Sequence, residues 1–399
     1  MTKARDVTKL TQKQDTLYRI MTSTDPDVPV FYGYNIIGEF SEILRNCSCD
    51  KVIFIADKTA FQLHGVPLFR AIQSIGISAF LLELSAGESE KTISTLSKIC
   101  EFALEHHVTN DSILLGFGGG MVTNIAGLAA SLLYRGISYI EVPTTFLGQT
   151  DSTFSNKQAV NSSHGKNQIG TYYAPIFIWC DLAYTATEQK RQWNAAIVEG
   201  IKNALLTGET LPDDFLHIAG VSSEQMLSLF HRITESKRKI LQRDPTERNY
   251  AVILEYGHTF GHAIEFLSQG EVNHGEAVAV GMCMAAHASE ALGLLSLEDV
   301  ERHYRLLAPF FPENLTRLFL GEPAEEIHAG IQFDNKRNQS GIPFVLLSDK
   351  RSGNGERESV IKYLSEGQIQ NAISAFFHQY QKRNEGRPDE AGSANHRFS

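Results

Sequence analysis

Ser112-Ile-Leu-Leu-Gly-Phe-Gly-Gly-Gly-Met-Val-Thr-Asn-Ile-Ala-Gly127 runs from an apolar strand-like segment into a three-glycine turn, and then into a helix start that Thr123 or Asn124 can cap. A turn of this kind brings backbone N–H groups at a helix N-terminus close to a pyrophosphate. Glycine-rich turns also serve as plain strand-to-helix connectors, and the spacing departs from G-x-G-x-x-G, so the residues alone leave both uses open. Upstream, Asp57 follows the run Val52 to Ala56, where a carboxylate can hold a ribose hydroxyl or cap an ordinary helix.

Outward from this stretch, short β-branched runs recur at 51–56, 77–82 and 139–142, separated by longer segments of helical period. That alternation predicts an α/β fold, a Rossmann-like domain with a mostly parallel sheet. After about Thr185 the pattern turns to long amphipathic stretches at 195–207, 224–241, 257–267 and 275–292, predicting a mainly α-helical second domain. The expected organisation is a disordered tail over 1–27, an α/β domain over 28–187 that contains the glycine-rich turn, a helical domain over 188–380, and a disordered tail over 381–399.

The chain has 399 residues, 42% of them hydrophobic and 21% charged, and no apolar run approaches the roughly 20 residues of a membrane span. A soluble protein is expected. The N-terminal segment has no apolar stretch behind Lys3, Arg5 and Lys9, which argues against a signal peptide. Five scattered cysteines with no C-x-x-C pair point to reduced thiols in the cytoplasm, and none has the setting of a zinc ligand. A net charge of −10 argues against a nucleic-acid surface, which needs clustered Lys and Arg.

His258 and His262 stand four apart on one helical face, and His274 precedes another helix. Three imidazoles can converge on a divalent cation that keeps a position open for substrate. Glu199, in an otherwise apolar helix, is the best carboxylate ligand, with a buried ion pair to Lys202 or Lys157 as the alternative. The segments 142–161 and 165–170 are rich in hydrogen-bond donors, and with Lys157, Lys166, Asn167 and Lys202 they suit a phosphorylated polyol; Asp334-Asn-Lys336-Arg337 adds a basic cluster downstream.

These motifs resemble the 3-dehydroquinate synthase superfamily, the sugar-phosphate cyclases, from about Val28 to Tyr380. The carriers are GGGMVTNIAG at 118–127, LYRG at 133–136, VPTT at 142–145, DSTFSNKQAVN at 151–161, GKN at 165–167, VEGIKNAL at 198–205, GHTFGHAIE at 257–265 and HGEAVAVGM at 274–282. The resemblance implies NAD held by Asp57, Glu88, Lys91, Gly119, Gly120, Met121, Val122, Thr123, Asn124, Thr144, Thr145, Ser155, Asn156, Lys157, Lys166 and Asn167. It implies zinc or cobalt on Glu199, His258 and His274, with His262 moved to the substrate beside Asp151, Lys202, Lys237 and Lys336. Lys157 and Glu255 become the catalytic pair, and Arg135 either reaches a phosphate across a homodimer interface or serves in a structural salt bridge.

Within the superfamily, Glu255 stands where dehydroquinate synthases usually carry Asn, and Ala251 where they carry a phosphonate-binding Arg. Both changes, with Asn124 and the 334–337 cluster, resemble the branch that closes D-glucose 6-phosphate into a carbocycle at the start of 2-deoxystreptamine aminoglycoside biosynthesis. Gly261-His262 stands where the valiolone and gadusol cyclases usually read Ser-Pro. The competing possibilities are a cyclase acting on a seven-carbon sugar phosphate, a polyol oxidoreductase of the glycerol dehydrogenase type, and a catalytically dead homologue. The lysine-rich pocket argues against the second, and the complete metal ligand set against the third.

Overall fold

In the chain's computed structural model, residues 17–163, 165–211, 222–313, 315–319, 322–332, 339–351 and 357–384 are described. The order is β1 (Leu17–Met21), β2 (Pro29–Gly33), α1 (Ile37–Arg45), β3 (Lys51–Asp57), α2 (Lys58–Ala60), α3 (Val66–Ser74), β4 (Ser78–Leu84), α4 (Ile93–Glu105), β5 (Ile113–Gly118), α5 (Gly120–Leu132), β6 (Ser138–Pro143), α6 (Phe146–Thr150), β7 (Lys157–Ser162), β8 (Gly165–Tyr172), β9 (Phe177–Asp181), α7 (Lys190–Thr207) and α8 (Ser223–Arg243). There follow α9 (His258–Leu267), α10 (His274–Ala291), α11 (Leu297–Leu307), α12 (Pro323–Ile331), β10 (Pro343–Arg351), β11 (Arg357–Tyr363) and α13 (Glu366–Asn384).

The side chains of the central strands decide the layering. Along β3, Val52, Phe54 and Ala56 join one buried cluster with Phe40, Leu68 and Ile72 of α1 and α3, while Ile53 and Ile55 join a second with Leu96, Ile99 and Ile125 of α4 and α5. Alternate residues therefore face opposite helical layers, and a strand covered on both faces needs the continuous apolar run that β3 carries. The seven-stranded sheet has the order β1-β2-β9-β6-β5-β3-β4, parallel except for the β1–β2 pair. From β3 the chain passes to β4 on one side and then to β5 on the other, so the strand order reverses between Asp57 and Gly118, where open α/β sheets bind ligands.

Among the described residues, contacts group the chain into two units, one reaching to Leu254 and including Arg357, the other beginning at Glu255. The texture change expected near residue 187 is real, since the sheet ends at Asp181 and the helices begin at Lys190, but α7 and α8 group with the sheet. A shift in periodicity marks where strands stop, not where packing divides. The second unit is mainly α-helical, with β10 and β11 forming a two-stranded sheet that the helical pattern concealed.

Two further expectations need correction. Residues 17–21 of the expected tail form β1, pairing antiparallel with β2 and stacking Tyr18 on Tyr32 with 5.3 Å between ring centroids. At the other end α13 continues to Asn384, past the expected break at 381. The remainder of both predicted tails, 1–16 and 385–399, lies outside the described residues.

Candidate active site

Gly119 is the N-cap of α5 and brings no side chain to the helix start. Neither Thr123 nor Asn124 caps the helix, because both lie inside its first turns: Thr123 Oγ1 donates back to Gly120 O at 3.3 Å, and Asn124 Oδ1 accepts from Lys91 Nζ at 3.0 Å. Val122 and Thr123 N–H close the first turn on Gly119 O, with Met121 beside them. The turn tolerates little bulk. A Cβ at Gly118 would lie 3.0 Å from Asp57 Cβ and Val122 Cβ, and one at Gly119 would lie 3.3 Å from Thr145 Cγ2. Absence of these atoms lets a ligand meet the α5 N-terminus where the helix dipole favours an anion.

Around this start stand Asp57, Thr144 and Thr145, with Lys91 and Asn167 joined to it through Asn124. Asp57 caps α2 by accepting from Ala60 N at 2.9 Å, so its helix-cap role is observed while its carboxylate stands at the strand-order reversal. Thr144 N donates to Gly118 O at 2.9 Å, and Thr145 caps α6. Lys91 is buried and also donates to Asn167 Oδ1 at 2.6 Å, with Glu88 4.0 Å away. Burial lowers the Lys91 pKa, Glu88 opposes that shift, and the nearby Lys166 charge adds to it. Asn167 sits at φ +56°, a conformation asparagine accepts more readily than most residues.

The β7–β8 hairpin carries Lys157 at its start, half-exposed and paired with Glu247 at 2.7 Å. Ser155 Oγ accepts from Lys157 N, while Asn156 is spent on structure, donating to Pro26 O at 3.1 Å. Lys237 is buried and holds Asp151 by both its backbone oxygen and its carboxylate, each at 2.8 Å. On α7, Glu199 and Lys202 are both buried and form an ion pair, so the sequence alternative of a Lys202 partner is realised, whereas Lys157 chooses Glu247. Arg135 is exposed, at φ +67° in the turn after α5. Lys336 and the rest of the 334–337 cluster lie outside the described residues.

In the second unit, His258 opens α9 and His274 opens α10, the latter fixed by a capping box between Asn273 and Glu276. The ring centroid of His258 lies 5.5 Å from that of His262 and 5.4 Å from that of His274. His258 Nδ1 meets Tyr256 O at 3.2 Å, and His274 Nδ1 meets Glu265 Oε2 at 3.2 Å. An imidazole whose Nδ1–H is engaged in this way presents Nε2 as its ligating nitrogen. Glu255 is half-buried at the start of this unit.

A model of the N-terminal region of 3-dehydroquinate synthase matches residues 81–195, and one of the C-terminal region matches residues 196–337. The chain belongs to the 3-dehydroquinate synthase family. Among this family member's relatives, the 2-deoxy-scyllo-inosose synthase of Streptomyces paromomycinus is 35% identical, over 82% of this chain and 87% of the relative. The 3-dehydroquinate synthase of Desulforamulus reducens is 33% identical, over 80% of this chain and 90% of the relative. A crystal structure of 2-deoxy-scyllo-inosose synthase complexed with carbaglucose-6-phosphate, NAD+ and Co2+ is 30% identical, covers 90% of this chain and 99% of that chain, and superposes with a TM-score of 0.79.

Four residues escaped the sequence reading. Glu247 holds Lys157, Glu265 and the Tyr256 carbonyl orient the histidines, and Glu188 accepts from Phe146 N at 2.8 Å under the Thr144-Thr145 turn. Burial pushes the Glu188 carboxyl up to about 7. Glu265, two helical turns beyond His258, and Tyr256, two residues before it, had local signals; Glu247 and Glu188 are joined to their partners only by the fold.

Proposed function

We propose that this family member is a 2-deoxy-scyllo-inosose synthase, an NAD- and metal-dependent enzyme that closes D-glucose 6-phosphate into a carbocycle with loss of phosphate, at the first step of 2-deoxystreptamine aminoglycoside formation. Support comes from the relatives and solved structure bearing that name. Glu255 carries the choice of a six-carbon over a seven-carbon substrate: a carboxyl can transfer a proton where the amide usual in 3-dehydroquinate synthases cannot.

The donor set fits the expected groups. Gly118 to Gly120 leave the α5 start bare beside Asp57 and Thr145, as a pyrophosphate requires. Glu199, His258 and His274 supply one carboxylate and two imidazoles for a divalent ion, zinc or cobalt, and both imidazoles are tied through Nδ1. When bound, NAD supplies reversible hydride transfer at C4 and the ion supplies Lewis-acid polarisation of the sugar oxygens.

The chain's residues do the rest. Asn124, Lys91 and Asn167 form the polar bridge that orients the dinucleotide with Glu88, Thr144, Thr145 and Lys166. Lys157, held by Glu247, stabilises charge on the reacting oxygens. Lys237 and Asp151 together with Lys202, His262 and Lys336 grip the phosphate and hydroxyls, and Glu255 serves proton transfer at C6, the carbon that phosphate leaves as the proton on C5 is removed. The opened product then closes by an intramolecular aldol reaction onto C1. Arg135, exposed on its turn, reaches a phosphate across a homodimer interface.

A cytoplasmic setting is supported by five free cysteines, and among the described residues no helix is long and apolar enough to cross a membrane. A substrate panel tests the proposal. With NAD and cobalt present, phosphate is expected from D-glucose 6-phosphate; release only from a seven-carbon sugar phosphate, or NADH accumulation on glycerol, would select the competing assignments.

A further inference from the structure

We infer that His303 is a positioning residue for His258, acting through the tyrosine that precedes the glycine of the metal motif; this rests on His258 being a metal ligand, as proposed above. Tyr256 and His303 are both fully buried. Tyr256 Oη lies 2.9 Å from His303 Nε2, and His303 Nδ1 lies 2.7 Å from Asp299 O one turn back along α11. The carbonyl can only accept, so Nδ1 carries the ring hydrogen and Nε2 accepts from the tyrosine hydroxyl; this tautomer is assigned from the network. The two rings meet at 70° with centroids 5.9 Å apart.

The other end of Tyr256 sets the ligand. Its carbonyl accepts from His258 Nδ1 at 3.2 Å. Between the two residues, Gly257 sits at φ +80° against α10, where a Cβ would lie 2.8 Å from Met282 N; a Cβ on Gly281 would in turn lie 2.1 Å from Gly257 O. The peptide that directs the carbonyl is therefore pinned by backbone on α10, while the Tyr256 hydroxyl is held between His303 Nε2 on α11 at 2.9 Å and the longer contact to Met282 O on α10 at 3.3 Å. With both ends held, the Tyr256 carbonyl has one direction, and His258 Nδ1–H is committed to it.

Packing alone does not ask for histidine at position 303. A phenylalanine would fill a similar space without burying two ring nitrogens, each of which must find a partner. What histidine adds is an acceptor at fixed height for the Tyr256 hydroxyl, which sets the depth and rotation of that side chain. Outer partners of metal-bound imidazoles typically change metal affinity by roughly 10- to 100-fold when removed.

Cobalt titration of the full-length protein, followed by visible absorption of the bound ion and accompanied by a melting curve, tests the inference. Tyr256→Phe and His303→Phe should each weaken Co2+ binding by roughly tenfold or more and alter the ligand-field spectrum. The double variant should be no weaker than Tyr256→Phe, which already removes the contact to His303 together with the longer one to Met282 O. His303→Gln offers an amide at similar reach and should recover most of the affinity. Wild-type affinity and spectrum in Tyr256→Phe, with only a lowered melting temperature, would show a purely structural pair and overturn the inference. Should His303→Phe fail to fold, Tyr256→Phe and His303→Gln decide between them. His258→Ala separates the two levels: unchanged cobalt binding there would refute the ligand assignment, whereas its loss alongside an unaffected Tyr256→Phe would refute only the positioning role.

Discussion

Glu141 lies in the middle of β6, 2% exposed, with Oε1 accepting from Tyr139 Oη at 2.9 Å and from Gln158 Nε2 at 3.2 Å; Oε2 has no hydrogen-bond partner among the described residues. Burial pushes its carboxyl from 4.5 up to about 7, against the lowering effect of those two donors. An acid whose folded value is raised favours the folded state fully only below its unfolded value. Stability is then lost as pH rises from 4.5 through 7, because the unfolded chain releases the proton first. At about 1.4 kcal/mol per pH unit, the interval amounts to about 3 kcal/mol at pH 8. Glu141→Gln keeps the acceptor and abolishes the titration. Both tryptophans, Trp179 and Trp193, lie in the unit that contains Glu141, so urea unfolding followed by fluorescence reports on that unit. The stability gap in favour of Glu141→Gln should widen by roughly 2–3 kcal/mol from pH 5 to pH 8. A gap that stays flat or narrows with pH would refute the argument.

Further predictions concern the site. Glu255→Gln should keep metal and NAD, measured by elemental analysis and bound-nucleotide absorbance, yet lose cyclisation by roughly 100-fold or more, the scale of a missing acid–base group; full activity would refute its role. His274→Ala should lose the metal, and retained stoichiometric metal would refute the ligand set. Lys237→Met leaves the Asp151 carboxylate without its buried cation and should destabilise the chain by about 3–5 kcal/mol, with Asp151→Asn on top recovering much of the loss in urea unfolding.

Much of this was legible in the sequence because it is carried by local periodicity. The runs at 51–56 and 112–115 are β3 and β5, and the amphipathic stretches at 195–207, 224–241, 257–267 and 275–292 are α7 to α10. Gly118 to Gly120 announced the turn at α5, but placing the cap at Thr123 or Asn124 failed because glycine at the N-cap hides the true helix start. Contacts group α7 and α8 with the sheet, which periodicity could not foretell, since helices that pack on a sheet have the same period as helices that pack on one another; the two matched family regions meet at 195–196, near the expected 187. Residues whose partner is distant in sequence stayed invisible: Glu247 is 90 residues from Lys157, and His303 is 47 from Tyr256. β1 was hidden by the polar sequence around it, because an edge strand needs only one buried face.

The central claim is that this chain oxidises its substrate only transiently on the way to a carbocycle, and deuterium at C4 of D-glucose 6-phosphate follows that step directly. Incubated with the protein, NAD and cobalt, the labelled sugar should give one phosphate per 2-deoxy-scyllo-inosose formed, with deuterium retained on the product ring and no net NADH. Deuterium accumulating in reduced nucleotide, with the phosphate still on the sugar, would contradict the account and identify a dehydrogenase.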